Sequence, residues 1–213
     1  MTEFIKYRSV EKDILLNVLK AYPLMDYLNI YKIIEDMIYE DVEEYYDDRS
    51  LMCKYTLSFG LREGLYEEWF SNGQKCVECY YKDGKLDGLF QRWWMNGQKR
   101  KECYYRAGDP DKYSNREGRY QEWFQNGQKW IESTYLDDKK EGLLQSWFNN
   151  GQKDIECNFK NDKKEGMYHQ WFKSGQKWIE CHYRDGKIEG LYQEWNANGE
   201  KVKECYYKND QEI

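Results

Sequence analysis

Seven cysteines, a recurring file of glutamates and two histidines are the residues of this chain whose types could do chemistry. Thiolates suggest zinc or disulfides, and paired carboxylates suggest acid–base work or a cation path. Spacing decides against each. Cys79, Cys103, Cys157, Cys181 and Cys205 occupy one equivalent position in successive copies of a repeated unit, with Ser133 in the remaining copy. If each copy is a two-stranded hairpin, equivalent positions lie about 9.6 Å apart, twice the inter-strand spacing. A disulfide needs Cα atoms within about 7 Å, and tetrahedral zinc needs its ligands closer still. Cys76 and Cys79 form a lone C-x-x-C whose thiols, on a regular strand, point to opposite faces. The glutamates (Glu78, Glu102, Glu132, Glu156, Glu180, Glu204) repeat at the same interval, which gives equal copies and no unique acid–base centre. They are expected to form a hydrogen-bonded ladder with glutamines, as in Gln121–Glu132–Gln145–Glu156. His169 and His182 are single-copy substitutions. No nucleophile triad, P-loop or dinucleotide glycine pattern is present. The expected class is therefore non-enzymatic, with no cofactor and no metal.

The elements that position these residues come from internal repetition. Glycines at Gly64, Gly88, Gly118, Gly142, Gly166 and Gly190 open six units, at spacings of 24, 30, 24, 24 and 24 residues. With that glycine as offset 0, Trp fills offset 5 in all six copies: Trp69, Trp93, Trp123, Trp147, Trp171 and Trp195. A second Gly fills offset 9, and Lys fills offset 11: Lys75, Lys99, Lys129, Lys153, Lys177 and Lys201. The glutamates sit at offset 14 and the cysteines at offset 15. The longer interval places its extra residues within Ala107–Arg116, which contains Pro110 and reads as a surface loop at a sheet margin.

Each unit reads as two short strands. Asn-Gly at offsets 8 and 9, in five of the six copies, predicts a two-residue type I′ hairpin. Asp/Gly/Lys-rich turns lead back. With two-residue loops the paired offsets sum to 17. One face then carries offsets 2, 6, 13, 15 and 17, and the other carries offsets 1, 3, 5 and 14. A three-residue loop would move Trp to the cysteine face, and the sequence leaves that alternative open. The aromatic at offset 17 lies opposite the opening glycine and covers its bare backbone. Leu51–Phe59 reads as a degenerate half-repeat and starting strand. The expected fold is mainly β: an elongated single-layer antiparallel meander of six 24-residue hairpins plus a half-repeat over residues 51–213, with a helical cap at 1–50. The cap reading rests on Ser9 as N-cap and apolar residues Val10, Ile14, Val18 and Leu19, then Leu24, Leu28, Tyr31, Ile34 and Ile38. Its role would be to cover the first edge.

Composition agrees with a thin folded sheet. Aromatics make up 18% and charged residues 34%, and mean hydropathy is −1.10; disordered chains lack such aromatic content. A net charge of −6 argues against nucleic acid. No run of 18 apolar residues occurs, and Met1–Lys6 has no signal-peptide core, so a cytoplasmic protein is expected.

The run Gly-Leu-Tyr-Gln-Glu-Trp from Gly190, followed by Asn-Gly-Glu-Lys, Tyr207 and the Asp-Gly-Lys turns, resembles the MORN repeat in its longer variant form. The resemblance extends from Leu51 onward. It implies a rigid hairpin ribbon used for assembly or partner binding and no catalytic residue. Such repeats occur in lipid kinases, membrane-junction proteins, cytoskeletal scaffolds, antitoxin-like bacterial proteins and paralogous sets of giant DNA viruses. The leading expectation is thus a scaffold that binds protein through its Trp face or its last strand, Val202–Tyr207, with a viral assembly role and virion location implied by resemblance alone. The alternatives are an antitoxin-like regulator, a membrane or headgroup binder through the Lys stripe (weakened by the negative net charge), and a substrate adaptor. The last rests on a faint F-box likeness of Asp13–Leu19 and Leu28 that lacks that pattern's Leu-Pro and Trp.

Overall fold

A computed structural model of the chain describes residues 38–107 and 115–213. They form one antiparallel sheet whose strands follow each other in chain order. Strands β1 (Tyr39–Tyr45) and β2 (Leu51–Ser58) precede the first full unit, β3 (Leu61–Trp69) and β4 (Lys75–Lys82). The same pair recurs five times, ending with Lys187–Trp195 and Lys201–Lys208.

The expected register holds through the body of every hairpin. Gly64 pairs with Tyr81, Tyr66 with Cys79 and Glu67 with Glu78, and Gly190 pairs with Tyr207 in the last copy. Each opening glycine therefore faces its offset-17 aromatic, as expected.

The tips differ from expectation, in a way that explains why the faces nevertheless come out as expected. At the Asn-Gly tip the Gly73 amide donates to the Phe70 carbonyl at 2.9 Å, and the Phe70 amide donates to Gln74 at 2.8 Å. Only Gly73 has positive φ (78°), and Asn72 does not. The loop thus has three residues, a type I turn closed by a left-handed glycine. This shifts the pairing by one residue, so Trp69 faces Lys75. A β-bulge at Cys76 then restores the register before Val77, and Trp stays on its expected face. The predicted type I′ turn is found at the opposite margin, where Asp83 and Gly84 (φ 50° and 74°) and Asn161 and Asp162 (50° and 65°) are all left-handed. Asn72 is held instead by its side chain. Its Oδ1 accepts from the Gln74 amide at 3.1 Å, and its Nδ2 donates to the Met95 carbonyl on the next tip at 3.2 Å.

The bulge also corrects the reading of Cys76 and Cys79. The extra residue puts both side chains on one face, in a cluster with Val77, Tyr66, Phe70, Tyr81 and Phe90. A second bulge opens each unit. Tyr55 pairs with Tyr66 but Thr56 pairs with Glu63, leaving Gly64 and Leu65 unopposed by β2.

Both ends of the described sheet add to the expected plan. Leu51–Phe59 is not the starting strand, because β1 pairs along it from Tyr39↔Ser58 to Tyr45↔Leu51. The acidic stretch assigned to the cap thus enters the sheet, while the helical segments expected before it lie outside the described residues. After Lys201–Lys208 the chain turns at Asn209–Asp210, and Gln211–Glu212 pairs back onto Lys208 and Tyr207. That strand is consequently covered at one end. Residues 108–114 of the expected loop are also outside the description. Its flanks pair as Arg106↔Asn115, so it replaces one of the two-residue turns.

Candidate interaction surface

The two faces have opposite chemistry. On the first, each offset-15 cysteine lies between offset-2 side chains of two strands: Cys79 is opposite Tyr66 on one side and Phe90 on the other. Tyr66 packs on Tyr81, Tyr120 on Tyr135 and Tyr168 on Tyr183, with ring centres 5.3–5.9 Å apart. Cations close this layer from above. The Arg62 guanidinium lies 4.7 Å from the Tyr66 ring centre, and the Lys164 ammonium 4.3 Å from that of Tyr168. A single-layer sheet has no second layer to bury its rings, so these aliphatic stems and charges act as the lid. The cysteines beneath are more deeply buried than half: Cys79 and Cys103 are 1% exposed and Cys181 2%. Burial pushes the Cys79 thiol up to about 12 and the Cys181 thiol to about 11. These sulfurs are packing atoms, since nucleophilic thiols need depressed values. Only Cys205, in the last hairpin, is half-exposed.

The second face carries the Trp and Lys files, and here the structure changes their meaning. Each offset-11 lysine pairs with the offset-14 glutamate of its own unit. The distances are 2.5 Å for Lys75–Glu78, Lys99–Glu102, Lys153–Glu156 and Lys177–Glu180, and 2.6 Å for Lys129–Glu132; Lys201 pairs with Glu204 in the same way. The same ammonium reaches the Trp ring of the next unit: Lys75 to Trp93, Lys99 to Trp123, Lys129 to Trp147, Lys153 to Trp171 and Lys177 to Trp195, at 5.2–6.0 Å from the ring centre. Glutamines add the expected ladder rungs, Gln91 to Glu102 at 2.7 Å and Gln145 to Glu156 at 2.8 Å. Hydrogen bonds from Lys99 and Lys153 hold the Glu102 and Glu156 carboxyls below their usual range. The Lys stripe is therefore neutralised along its length, and all six Trp are half-buried.

What this face exposes is the file beside the Trp rings. Offsets 1 and 16 are cross-strand partners: Leu65↔Tyr80, Leu89↔Tyr104 and Leu191↔Tyr206. Leu65, Tyr80, Tyr104, Leu143, Met167, Leu191 and Tyr206 are all 37–57% exposed. The third unit interrupts the file with Arg119↔Thr134, where Arg119 pairs with Glu132 at 2.7 Å.

Sequence reasoning missed one further column. The residue before each opening glycine is acidic in all six copies, and its carboxylate accepts a backbone amide at the following margin: Asp83 to Glu63 at 2.8 Å, Asn161 to Glu141 at 2.9 Å, Asn209 to Glu189 at 3.0 Å. The sixfold recurrence was visible in the sequence, but the distance of 20 residues between the partners hid its purpose.

Among the described residues no group of three or more His, Cys, Asp or Glu side chains could hold a metal ion. No curated protein matches the chain significantly. The family model described as MORN repeat variant matches residues 62–83, 116–137, 140–161 and 188–209. The two units it passes over, opened by Gly88 and Gly166, show the same register, bulges and tips as the four it matches. Four of the six units are thus MORN repeats of the variant type, and the other two share their geometry.

Proposed function

We propose that this protein is a non-enzymatic binding ribbon that holds a protein partner against the exposed Leu/Tyr/Met file of its second face. Repeat scaffolds of this family suit such a role, and one observation carries the assignment. Seven large apolar side chains at the paired offsets 1 and 16 are exposed in a file broken at the third unit, where the adjoining Trp, Lys and Glu files are satisfied within the sheet. An apolar line on a rigid polar lattice supports protein contact, because its burial is favourable and little ordering is needed. Membrane attachment through the Lys stripe is less well supported, since those ammonium groups already have carboxylate partners.

The test is co-purification of the native complex with a Leu143→Glu/Met167→Glu double variant. Both positions are exposed, so circular dichroism and melting should match the parent. Loss of the partner from the variant supports the assignment. An unchanged complex would place the contact elsewhere.

A further inference from the structure

Where six copies agree, the shared residue serves the lattice; where they differ, the lattice is free to carry local chemistry. Offset 12, the bulged position on the cysteine face, changes in chemical character from unit to unit: Cys76, Arg100, Trp130, Asp154, Trp178 and Val202. It lies along the Asn-Gly margin. In the third and fifth units the indoles stack on the local Phe, Trp130 on Phe124 at 5.8 Å and Trp178 on Phe172 at 5.2 Å. Trp130 remains 45% exposed. Between them stands the Asp154 carboxylate, half-buried, whose pKa burial raises above the ordinary aspartate value. Ser146 donates to it at 3.3 Å.

Glu122, Asp154 and Glu194 on this margin, like Glu68 in the first unit, have no ion-pair partner among the described residues, whereas the offset-14 glutamates of the other face all do. Their hydrogen-bond donors are neutral: Tyr120 for Glu122, Trp178 and Tyr192 for Glu194. Of their cross-strand neighbours, Lys101 reaches the Tyr120 ring instead, and Lys203 pairs with Glu212 at 2.8 Å. The second unit shows how this margin receives a cation. There the Arg100 guanidinium lies 4.3 Å from the Trp94 ring centre. That unit also carries Arg92, so a cationic ligand is repelled beyond the third unit.

We infer that the margin formed by Trp130, Asp154 and Trp178, with Glu122 and Glu194 at its ends, binds an extended arginine-bearing peptide segment running along the ribbon axis. Guanidinium suits it better than ammonium, because one plane stacks on indole while its fork pairs with a carboxylate. Spacing selects the conformation. Successive units are about 9.6 Å apart, and a polyproline II chain advances about 9.3 Å in three residues. Arginine at every third position therefore stays in step with the repeats. This surface is separate from the Leu/Tyr/Met file and does not depend on it. The overall charge of −6 favours encounter with such a segment.

The experiment is fluorescence anisotropy of the full chain with two labelled twelve-residue peptides of equal composition, one with four arginines at every third position and one with them contiguous. The spaced peptide should bind at least fivefold more tightly. Asp154→Lys and Trp130→Ala should each weaken it at least fivefold, while Leu143→Glu on the other face leaves it unchanged. Matching circular dichroism and melting show that the variants are folded. Equal affinity for the two peptides, absence of binding, or binding that survives Asp154→Lys overturns the inference.

Discussion

The Lys153 ammonium lies 5.6 Å from the centre of the Trp171 ring, which belongs to the next repeat along the sheet. The same ammonium is 2.5 Å from Glu156 of its own repeat. One side chain thus ties each hairpin to itself and to its neighbour. Stability in such an array is a sum of unit and nearest-neighbour terms, and this pair is one of the neighbour terms. Truncating Trp171 to Ala removes a half-buried indole and its cation contact, and should cost about 2–3 kcal/mol. Lys153→Met keeps the stem but loses both charge contacts, for about 0.5–1.5 kcal/mol. Urea titration checks both, and the Trp variant should be the less stable.

The Gly97 and Gly142 backbones are both left-handed, with φ of 82° and 80°. A Cβ at Gly142 would meet nothing, whereas one at Gly97 would come 3.0 Å from Gln74 Oε1 on the preceding tip. Gly142→Ala should cost about 1–2 kcal/mol from conformation alone. Gly97→Ala should cost more, and the excess should vanish in a Gln74→Ala background. Thermal melts of the four variants decide it.

Thiols report on the aromatic lid. Six cysteines are buried and Cys205 is half-exposed, so a thiol reagent should modify one cysteine quickly in the native protein and all seven in denaturant. Rapid modification of several native thiols would show that the lid opens easily.

Stability should fall at both extremes of pH. The Cys79 thiol ionises near 12 in the fold, above its ordinary value of 9.0. Between those values the unfolded chain loses the proton and the native one keeps it, so stability declines as pH rises from about 9 toward 12. For Glu102 and Glu156 the sign reverses. Their native carboxyls titrate below the ordinary 4.5, so their contribution is present above that value and is lost as pH falls through the lowered one. Denaturant midpoints from pH 3 to 11 test both limbs.

Asp154→Asn should leave stability at neutral pH unchanged or raise the melting temperature by about 1–2 °C, because it relieves a partly desolvated carboxylate while keeping a hydrogen-bond acceptor toward Ser146. A loss of several degrees would mean that the charge serves the fold.

The lattice was legible because it is local and repeated. The glycine, Trp, Lys and Glu offsets give strand length and pairing sum. The facing of Gly64 by Tyr81 follows from that sum alone. The tips were misread because Asn-Gly suits two turn types, and the choice rests on contacts outside the dipeptide. Asn72 is drawn into the three-residue loop by the hydrogen bond its side-chain amide donates to the Met95 carbonyl of the next hairpin. The bulge at Cys76, which undoes the resulting shift, left no mark in a pattern of alternating residues.

Composition and periodicity by themselves determined that this chain makes one thin antiparallel ribbon whose recurring side chains stack in files, whereas the face taken by the Trp file was settled by the three-residue tip and the bulge that follows it. Only the tertiary structure decided which of those files remain available. Lys and Trp are equally prominent in sequence, yet each lysine is taken by a glutamate three residues on, and five of the six by an indole 18 to 24 residues on, as in Lys153 to Trp171 and Lys99 to Trp123. Such satisfaction depends on the distance between neighbouring hairpins, set by the sheet and its bulges. The same spacing leaves Leu143, Met167 and Asp154 without a partner of their own kind.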